Sequence, residues 1–434
     1  MNRRSLMIGA GVAAASGLAP LASAVAASVQ AAPDARTAAR DAWLYSLPLI
    51  EMATTRKRHL SGGQGQNRFN HARALIDHHG VGVTTPNNDT LYSIAWLDLT
   101  AGPVTLAIPP MGERYYSAAL MDMYTNNNAV LGGRTIGGQG GRFTIVGPGQ
   151  AGGGPGVVRA ATAHAWLLVR IVVDGPQDLD AVHRLQDGFV LKGPAGTPPA
   201  AFAERNAAPA DYFDSARRLL AADPPPATDA AVLRRTAALL GAGAGAPPAE
   251  AVAGVADAKA LLDMLTSRTG FIQGWSYPRA DLGDYGQDYI YRAAVALAGL
   301  GALPRAEAMY LRAAGDDDTG VFNGDGLYRL SLPARMPLDA FWSLSMYERT
   351  ADGQFFFTDN PLHRYAIGDR TQGLKRNADG SVDLWIGRGD PGGERTANWL
   401  PAPKGGPFGL FLRCYLPRPE LLDGRWRAPA VVKA

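Results

Sequence analysis

A single cysteine, Cys414, stands among the 434 residues, which excludes an intrachain disulfide and any cysteine-based metal cluster. Charge of one sign is also scarce: 42 Lys and Arg face 39 Asp and Glu, a formal balance of +3, and two of the positive charges are Arg3 and Arg4. Without a basic run, neither nucleic acid nor an anionic membrane surface is an expected partner. No uninterrupted apolar run is long enough for a spanning helix, so the mature chain is expected to have no membrane span. Despite 52 glycines there is no G-x-S-x-G elbow, no phosphate-binding P-loop and no G-x-G-x-x-G after a strand. The seven histidines show no H-x-x-x-H or H-E-x-x-H spacing, so no metal site is assigned and no cofactor is named.

What is present begins with an export pattern. Arg3-Arg4-Ser5-Leu6 precedes a short small-residue apolar stretch from Ile8 to Ala19, then Pro20 and Ala22-Ser23-Ala24. Charged start, short apolar middle and A-x-A triplet fit a signal over residues 1–26, and the arginine pair fits the twin-arginine route to a periplasmic location.

Beyond it, 47% hydrophobic content and more than 400 residues give room for several cores. A helix is expected over Arg36–Arg58, kinked at Pro48, and a short one over Phe69–His79 that would set His71 and His78 on one face with Asp77 beside them. Gly- and Pro-punctuated strands follow from Tyr92 to Val173. An Ala-rich stretch over 176–315 reads as helices, including Asp211–Ala222, Ala249–Thr266 and the pair Gln287–Leu300 and Arg305–Ala314. Strands return from Leu327. The expected architecture is mainly β with helices (α+β): two related β-sandwich or jelly-roll-like domains, over 34–175 and 316–434, joined by a helical region.

The relation between the β-domains rests on two short matches. Asn87-Asn88-Asp89-Thr90-Leu91-Tyr92 pairs with Asn323-Gly324-Asp325-Gly326-Leu327-Tyr328, and Tyr115-Tyr116-Ser117 pairs with Phe341-Trp342-Ser343. The spacing between the matches is shorter in the second copy, which on this alignment lacks about one strand.

Polar groups concentrate at two places in the first β-domain: Asn87-Asn88-Asp89 before one strand, and Asp122 to Asn128 after another. If these clusters line one end of one sandwich, Asp89 and Asp122 form a candidate acid/base pair, with Tyr92, Tyr124, Asn87, Asn88, Asn126, Asn127 and Arg114 positioning a polar or sugar-like small molecule. In the second domain Arg364, Asp369 and Arg370 form a charged group suited to an ion network or to anion recognition. The competing reading is structural, since Asn and Asp bond nearby backbone in turns.

The segments Thr85 to Ser93, Arg114 to Ser117, Asp122 to Asn127, Arg364 to Arg370 and Asn398 to Pro403 resemble, in order, the bacterial proteins that join the domain of unknown function numbered 1254 to the one numbered 1214. That resemblance implies an N-terminal β-domain, a helical region and a C-terminal jelly-roll-like β-domain, commonly in exported proteins. It brings no reaction and no catalytic residue set. The expectation is therefore an exported protein, either an enzyme using carboxylate acid/base chemistry on a polar small molecule or a non-catalytic periplasmic binding or envelope-associated protein, with a homodimer left open.

Overall fold

The computed structural model describes residues 33–434 apart from 64, 82–83, 268–269, 324 and 352–353. The expected export signal lies outside these residues. The first described element is the helix α1, Ala35–Leu60, capped by Asp34, whose carboxylate accepts the Thr37 N–H at 2.9 Å. It runs through Pro48 as one element, and its Trp43, Leu44, Leu47, Leu49 and Ile50 are buried. Among the described residues no helix is long and apolar enough to cross a membrane.

The first β-domain has seven main strands: β1 Thr90–Asp98, β2 Val104–Ile108, β3 Tyr116–Asp122, β4 Asn127–Gly132, β5 Gly141–Val146, β6 Val157–Arg159 and β7 His164–Val172. The second has seven more: β8 Ala308–Ala313, β9 Tyr328–Leu332, β10 Trp342–Arg349, β11 Ala366–Gly368, β12 Val382–Gly387, β13 Trp399–Pro401 and β14 Pro407–Tyr415. The large sheet of the first domain runs β1-β7-β3-β4 and that of the second β8-β14-β10-β11. The smaller sheets run β6-β5-β2 and β13-β12-β9, and β5·β6 and β12·β13 are both parallel. Even the short edges match. Asn70–His71 adds to β1 as Trp275–Ser276 adds to β8, and Val190–Lys192 adds to β2 as Val432–Lys433 adds to β9.

Each pair of sheets closes on its own core because alternate residues share one face. Leu91, Ala95, Leu97, Val169 and Ile171 fill the first, and Met309, Leu311, Leu344, Leu410 and Leu412 the second. The fold is thus a mixed α+β architecture with two related β-rich domains. The other face of the first large sheet is covered twice. Near Trp96, Met121, Trp166 and Leu168 it is packed by α1 together with α2 (Pro209–Ala222), α3 (Ala251–Ser267) and α4 (Tyr289–Ala298). Near Tyr115, Ala119 and Val172 it meets Ala308, Phe341 and Tyr415 of the second domain.

Three local expectations are corrected. Arg305–Ala314 holds the strand β8 (Ala308–Ala313) and not a helix: Met309, Leu311 and Ala313 enter the core while Ala308, Tyr310 and Arg312 take the opposite face, a period of two. The helical region therefore ends before Ala308, not at 315. Phe69–His79 is also not helical. It contributes the short strand Asn70–His71 and then a turn closed by the Gly80 N–H on the Asp77 carbonyl at 3.1 Å, as expected for Asp and Gly at the two ends of a β-turn. Finally, the second copy lacks none of the seven strands. Tyr328 begins β9 in the small sheet, so it matches the start of β2, and the residue equivalent to Tyr92 is Tyr310.

Candidate functional site

On the large sheets, the residues that point away from each core make the same pattern twice. Arg170 of β7 lies between Tyr92 of β1 and Ser117 of β3 in register. Arg413 of β14 lies between Tyr310 of β8 and Ser343 of β10. A carboxylate precedes the first strand of each sheet, Asp89 before β1 and Glu307 before β8. The Val173 N–H donates to the Asp89 carbonyl and the Leu416 N–H to the Glu307 carbonyl, both at 3.0 Å.

The two halves then exchange ions across the boundary. Gly132 pairs with Ser117 and Gly368 with Ser343, and two residues beyond each stands an arginine. Arg134 Nε reaches Glu307 Oε2 at 2.9 Å, and Arg370 Nη2 lies 3.7 Å from Asp89 Oδ1. Each arginine pairs with the carboxylate of the other domain. Tyr115 and its equivalent Phe341 meet edge to face at 5.5 Å between ring centres. Contact between equivalent residues, together with reciprocal ion pairs, is the signature of a two-fold relation, here within one chain.

Burial makes this layer costly. Arg170 is 6% exposed and Arg413 4%, and among the described residues neither has a carboxylate within 4.0 Å. Arg413 is nevertheless well used: Nη1 donates to Ser345 Oγ, and Nη2 to the Thr85 and Pro86 carbonyls at 3.0 and 3.1 Å. Those bonds grip the segment leading to Asp89, where Thr85 takes a φ of +50°, a conformation that a β-branched residue avoids. Arg170 is less used. Its Nη2 donates to the Gly301 carbonyl at 2.7 Å, its guanidinium lies over the Tyr92 ring at 5.4 Å from the ring centre, and Nη1 has no well-formed hydrogen bond among the described residues.

The carboxylates differ in the same way. Asp89 Oδ2 accepts from Ser343 Oγ at 2.6 Å. Glu307 Oε1 has no well-formed partner, nor do Ser117 Oγ, Tyr115 OH and Thr90 Oγ1. Burial pushes the Glu307 carboxyl above its ordinary range, opposed by Arg134 and by the Tyr115 phenol, which lies beside it without good hydrogen-bond alignment. Tyr92 and Tyr310 are only half-buried, so the layer reaches solvent on their side. Two surface clefts lie elsewhere, the larger about 290 Å³ and lined in part by Arg335, Arg418 and Trp426, the smaller by Thr105, Arg142 and Lys192.

Comparison with known proteins identifies the two halves. Residues 66–193 match the family model of a protein of unknown function, DUF1254, and residues 307–419 match that of another, DUF1214. The chain belongs to the proteins that pair these two domains. A crystal structure of a Vibrio parahaemolyticus protein superposes with a TM-score of 0.70 at 23% identity, covering 92% of this chain and all of that one. An uncharacterised Burkholderia cenocepacia protein aligns at 13% identity with a TM-score of 0.46, over 90% of this chain and 86% of that one. No curated protein matches the chain.

The boundary between the DUF1254 and DUF1214 domains gathers some of the residues expected from sequence and leaves others outside. Asp89, Asn87, Tyr92 and Arg370 belong to it. Asn87 Nδ2 donates to Tyr415 OH at 2.8 Å, and its Oδ1 accepts the Asp89 N–H at 2.6 Å. Asn88 Nδ2 turns away to the Ile76 carbonyl at 2.5 Å. Asp369, next to Arg370, is half-buried, and burial pushes its carboxyl up to about 6.

Asp122 does not join Asp89. Asp89 is bonded at Val173 and Asp122 is paired with Ala165, eight residues along the same chain segment, or about 26 Å at strand spacing. The expected carboxylate pair is corrected accordingly. Asp122 instead organises a turn, accepting the Tyr124 and Asn126 N–H groups at 2.9 and 3.0 Å and Asn128 Nδ2 at 3.0 Å. Its neighbours hold the helical layer: Tyr124 OH donates to the Asp223 carbonyl at 2.6 Å, Asn127 Nδ2 donates to the Ala302 carbonyl at 3.0 Å, and Asn126, whose Nδ2 donates to Asp122 Oδ2 at 3.2 Å within the turn, accepts the Tyr285 N–H on Oδ1 at 3.3 Å. Arg114 is a strut, bound to Asp178 at 2.7 Å and to the Val172 carbonyl at 2.8 Å. Arg364 Nη1 pins the Ala397 and Trp399 carbonyls at 3.1 and 2.7 Å.

Sequence reasoning passed over Arg170, Glu307, Tyr310, Arg413 and Arg134. The Tyr115-Tyr116-Ser117 match with Phe341-Trp342-Ser343 carried the right register, and extending it strand by strand leads to every one of them.

Proposed function

We propose that the chain binds a small anionic molecule, a carboxylate or an oxyanion of similar size, between its two β-domains, with Arg170 as the anchor. The observation that carries this reading is a buried arginine with no carboxylate within 4.0 Å among the described residues and no well-formed hydrogen bond at Nη1, beside Ser117 Oγ and Tyr115 OH, which also lack one. Buried polar groups are ordinarily satisfied, and a planar guanidinium is suited to a carboxylate. In this reading the acid/base pair is Asp89 and Glu307, one from each domain. Glu307, held toward its protonated form by burial, is the proton donor. The charged start, short apolar stretch and A-x-A triplet support a periplasmic setting for the same activity.

The test is a thermal-shift and calorimetric screen of small carboxylates, phosphate and sulfate on the purified mature chain and on Arg170→Met. An acid that stabilises the wild type and has lost at least tenfold in affinity for the variant supports the site. Equal binding to both, or no binding by any anion at millimolar concentration, overturns it. Asp89→Asn and Glu307→Gln then separate roles: turnover lost with binding kept marks an enzyme, and binding without turnover in the wild type marks a non-catalytic binding protein.

A further inference from the structure

The turn that replaces the expected helix over 69–79 brings together three side chains the family reading leaves without a role. Asp77, His78 and His79 each offer one ligand atom, and these atoms lie within 4.8 Å of one another. The His78 and His79 rings stand 3.9 Å apart between centres. The backbone that presents them is fixed: Asp77 Oδ1 accepts the His79 N–H at 2.9 Å, and the Asp77 carbonyl accepts the Gly80 N–H.

A second observation comes from the other domain. Tyr365, buried in the DUF1214 half, has its phenol 2.7 Å from His78 Nδ1. With Nδ1 engaged, the nitrogen His78 has to offer is Nε2, and the ring orientation is held by a partner outside the cluster. That is the arrangement metal-ligating histidines ordinarily show, one ring nitrogen on the metal and the other on a fixed hydrogen-bond partner.

Other histidines are already spent. His164 is held between Asp223 Oδ2 at 2.8 Å and Asp98 at 3.9 Å, and Asp98 in turn accepts from Thr100 and Thr197. His59 accepts from the Trp96 indole, and His183 bonds the Arg73 carbonyl.

We propose that Asp77, His78 and His79 form a binding site for one divalent transition-metal ion of the zinc type. Two imidazoles and one carboxylate match the ligand preference of Zn²⁺ and leave an open position for water. His79 is exposed and His78 is half-buried, so the ion enters from solvent on the His79 side. Its place also gives it an effect: Asn88 Nδ2 bonds the Ile76 carbonyl and Tyr365 bonds His78. A bound ion would therefore fasten the segment leading to Asp89 against the DUF1214 domain.

The test uses untagged mature protein stripped with chelator and titrated with ZnCl₂ by calorimetry. The expected result is one Zn²⁺ per chain, with affinity lowered at least tenfold in each of His78→Ala and His79→Ala. Tyr365→Phe, which leaves all three ligands in place, is expected to lower affinity by about tenfold, the usual reach of an outer partner. Zinc is also expected to raise the melting temperature of the wild type and not that of His79→Ala, whose exposed side chain leaves folding intact. Absence of binding at 100 µM Zn²⁺, or a stoichiometric site that survives both histidine substitutions, overturns the proposal.

Discussion

The two β-domains share the order of all seven main strands and both short edges, yet they treat equivalent residues differently. In the DUF1214 half, Arg413 uses both terminal nitrogens, on Ser345 and on two carbonyls of the segment before Asp89, and only its Nε is unmatched. In the DUF1254 half, Arg170 binds one carbonyl and has no well-formed hydrogen bond at Nη1 among the described residues. Asp89 is met by Ser343 and Arg370, whereas Glu307 is met by Arg134 on one oxygen only. Duplication thus accounts for a symmetric scaffold, and most of the unmatched groups of the boundary lie around Arg170, with Arg413 Nε, Arg370 Nε and Asp369 Oδ1 on the other side. A site in a duplicated protein is found where the equivalence fails, because the preserved part is what holds the halves together.

The largest effects should come from the preserved part. A Cβ on Gly132 would stand 2.6 Å from the Tyr116 carbonyl oxygen, and one on Gly368 would stand closer still to the Trp342 carbonyl. Both obstacles are strand backbone and cannot swing aside. Gly132→Ala and Gly368→Ala are each expected to cost about 3 kcal/mol, the upper range for overpacking a core, in urea unfolding. A large loss in one and none in the other would break the equivalence of β4 and β11.

The next comparison is between the arginines. Arg413→Met removes three hydrogen bonds, leaving the Pro86 carbonyl only its bond from Tyr347 OH, and frees the strained Thr85 segment, for an expected loss of about 3 kcal/mol. Arg170→Met leaves one acceptor and removes a buried cation with no carboxylate within 4.0 Å among the described residues, for about 1 kcal/mol. Denaturant midpoints of the two variants decide it, and equal losses would mean that Arg170 is as structural as its counterpart.

Most of the strands were legible from sequence because Gly and Pro bound them so closely. The strands expected between about Tyr92 and Val173 are β1 to β7, and those expected from Leu327 are β9 to β14. β8 was not legible: Arg305 to Ala314 sits in an Ala-rich context, and Ala308, Met309 and Tyr310 fit a helix as well as a strand until the partner β14 is known. The site was half legible. Asn87, Asp89 and Tyr92 stood out as a polar cluster before a strand, and Arg370 as part of a charged run. Arg170 and Arg413 did not, since β7 and β14 are buried on both faces and their near-continuous apolar runs conceal a single inward-turned arginine. The pairing of Asp89 with Asp122 failed for a related reason. Two polar clusters flanking strands of one sheet lie at the same end or at opposite ends according to strand direction, which only the register with β7 fixes.

The last comparison, the one that depends on pH, is between two carboxyls that burial raises for opposite structural outcomes. Asp122 has amide donors on both oxygens. Asp369 has only a long contact at 3.4 Å from the Trp342 N–H to Oδ2, and its Oδ1 is unmatched. With its carboxyl raised to about 6 by burial, aided by the nearby Asp89 charge and opposed by Arg370, Asp369 favours its protonated form in the folded chain. A carboxyl raised on folding penalises the native state above its folded value, and the penalty is relieved as pH falls from about 6 toward the unfolded value near 4. Asp369→Asn removes that penalty. The variant should therefore be more stable than wild type by about 2 kcal/mol at pH 7.5, with the difference closing by pH 4 in urea melts. Asp122→Asn should do the reverse, losing stability at pH 7.5 because an amide nitrogen replaces an acceptor oxygen that faces backbone and side-chain donors. If both variants were destabilised alike at pH 7.5, Asp369 would be a paired structural acid like Asp122.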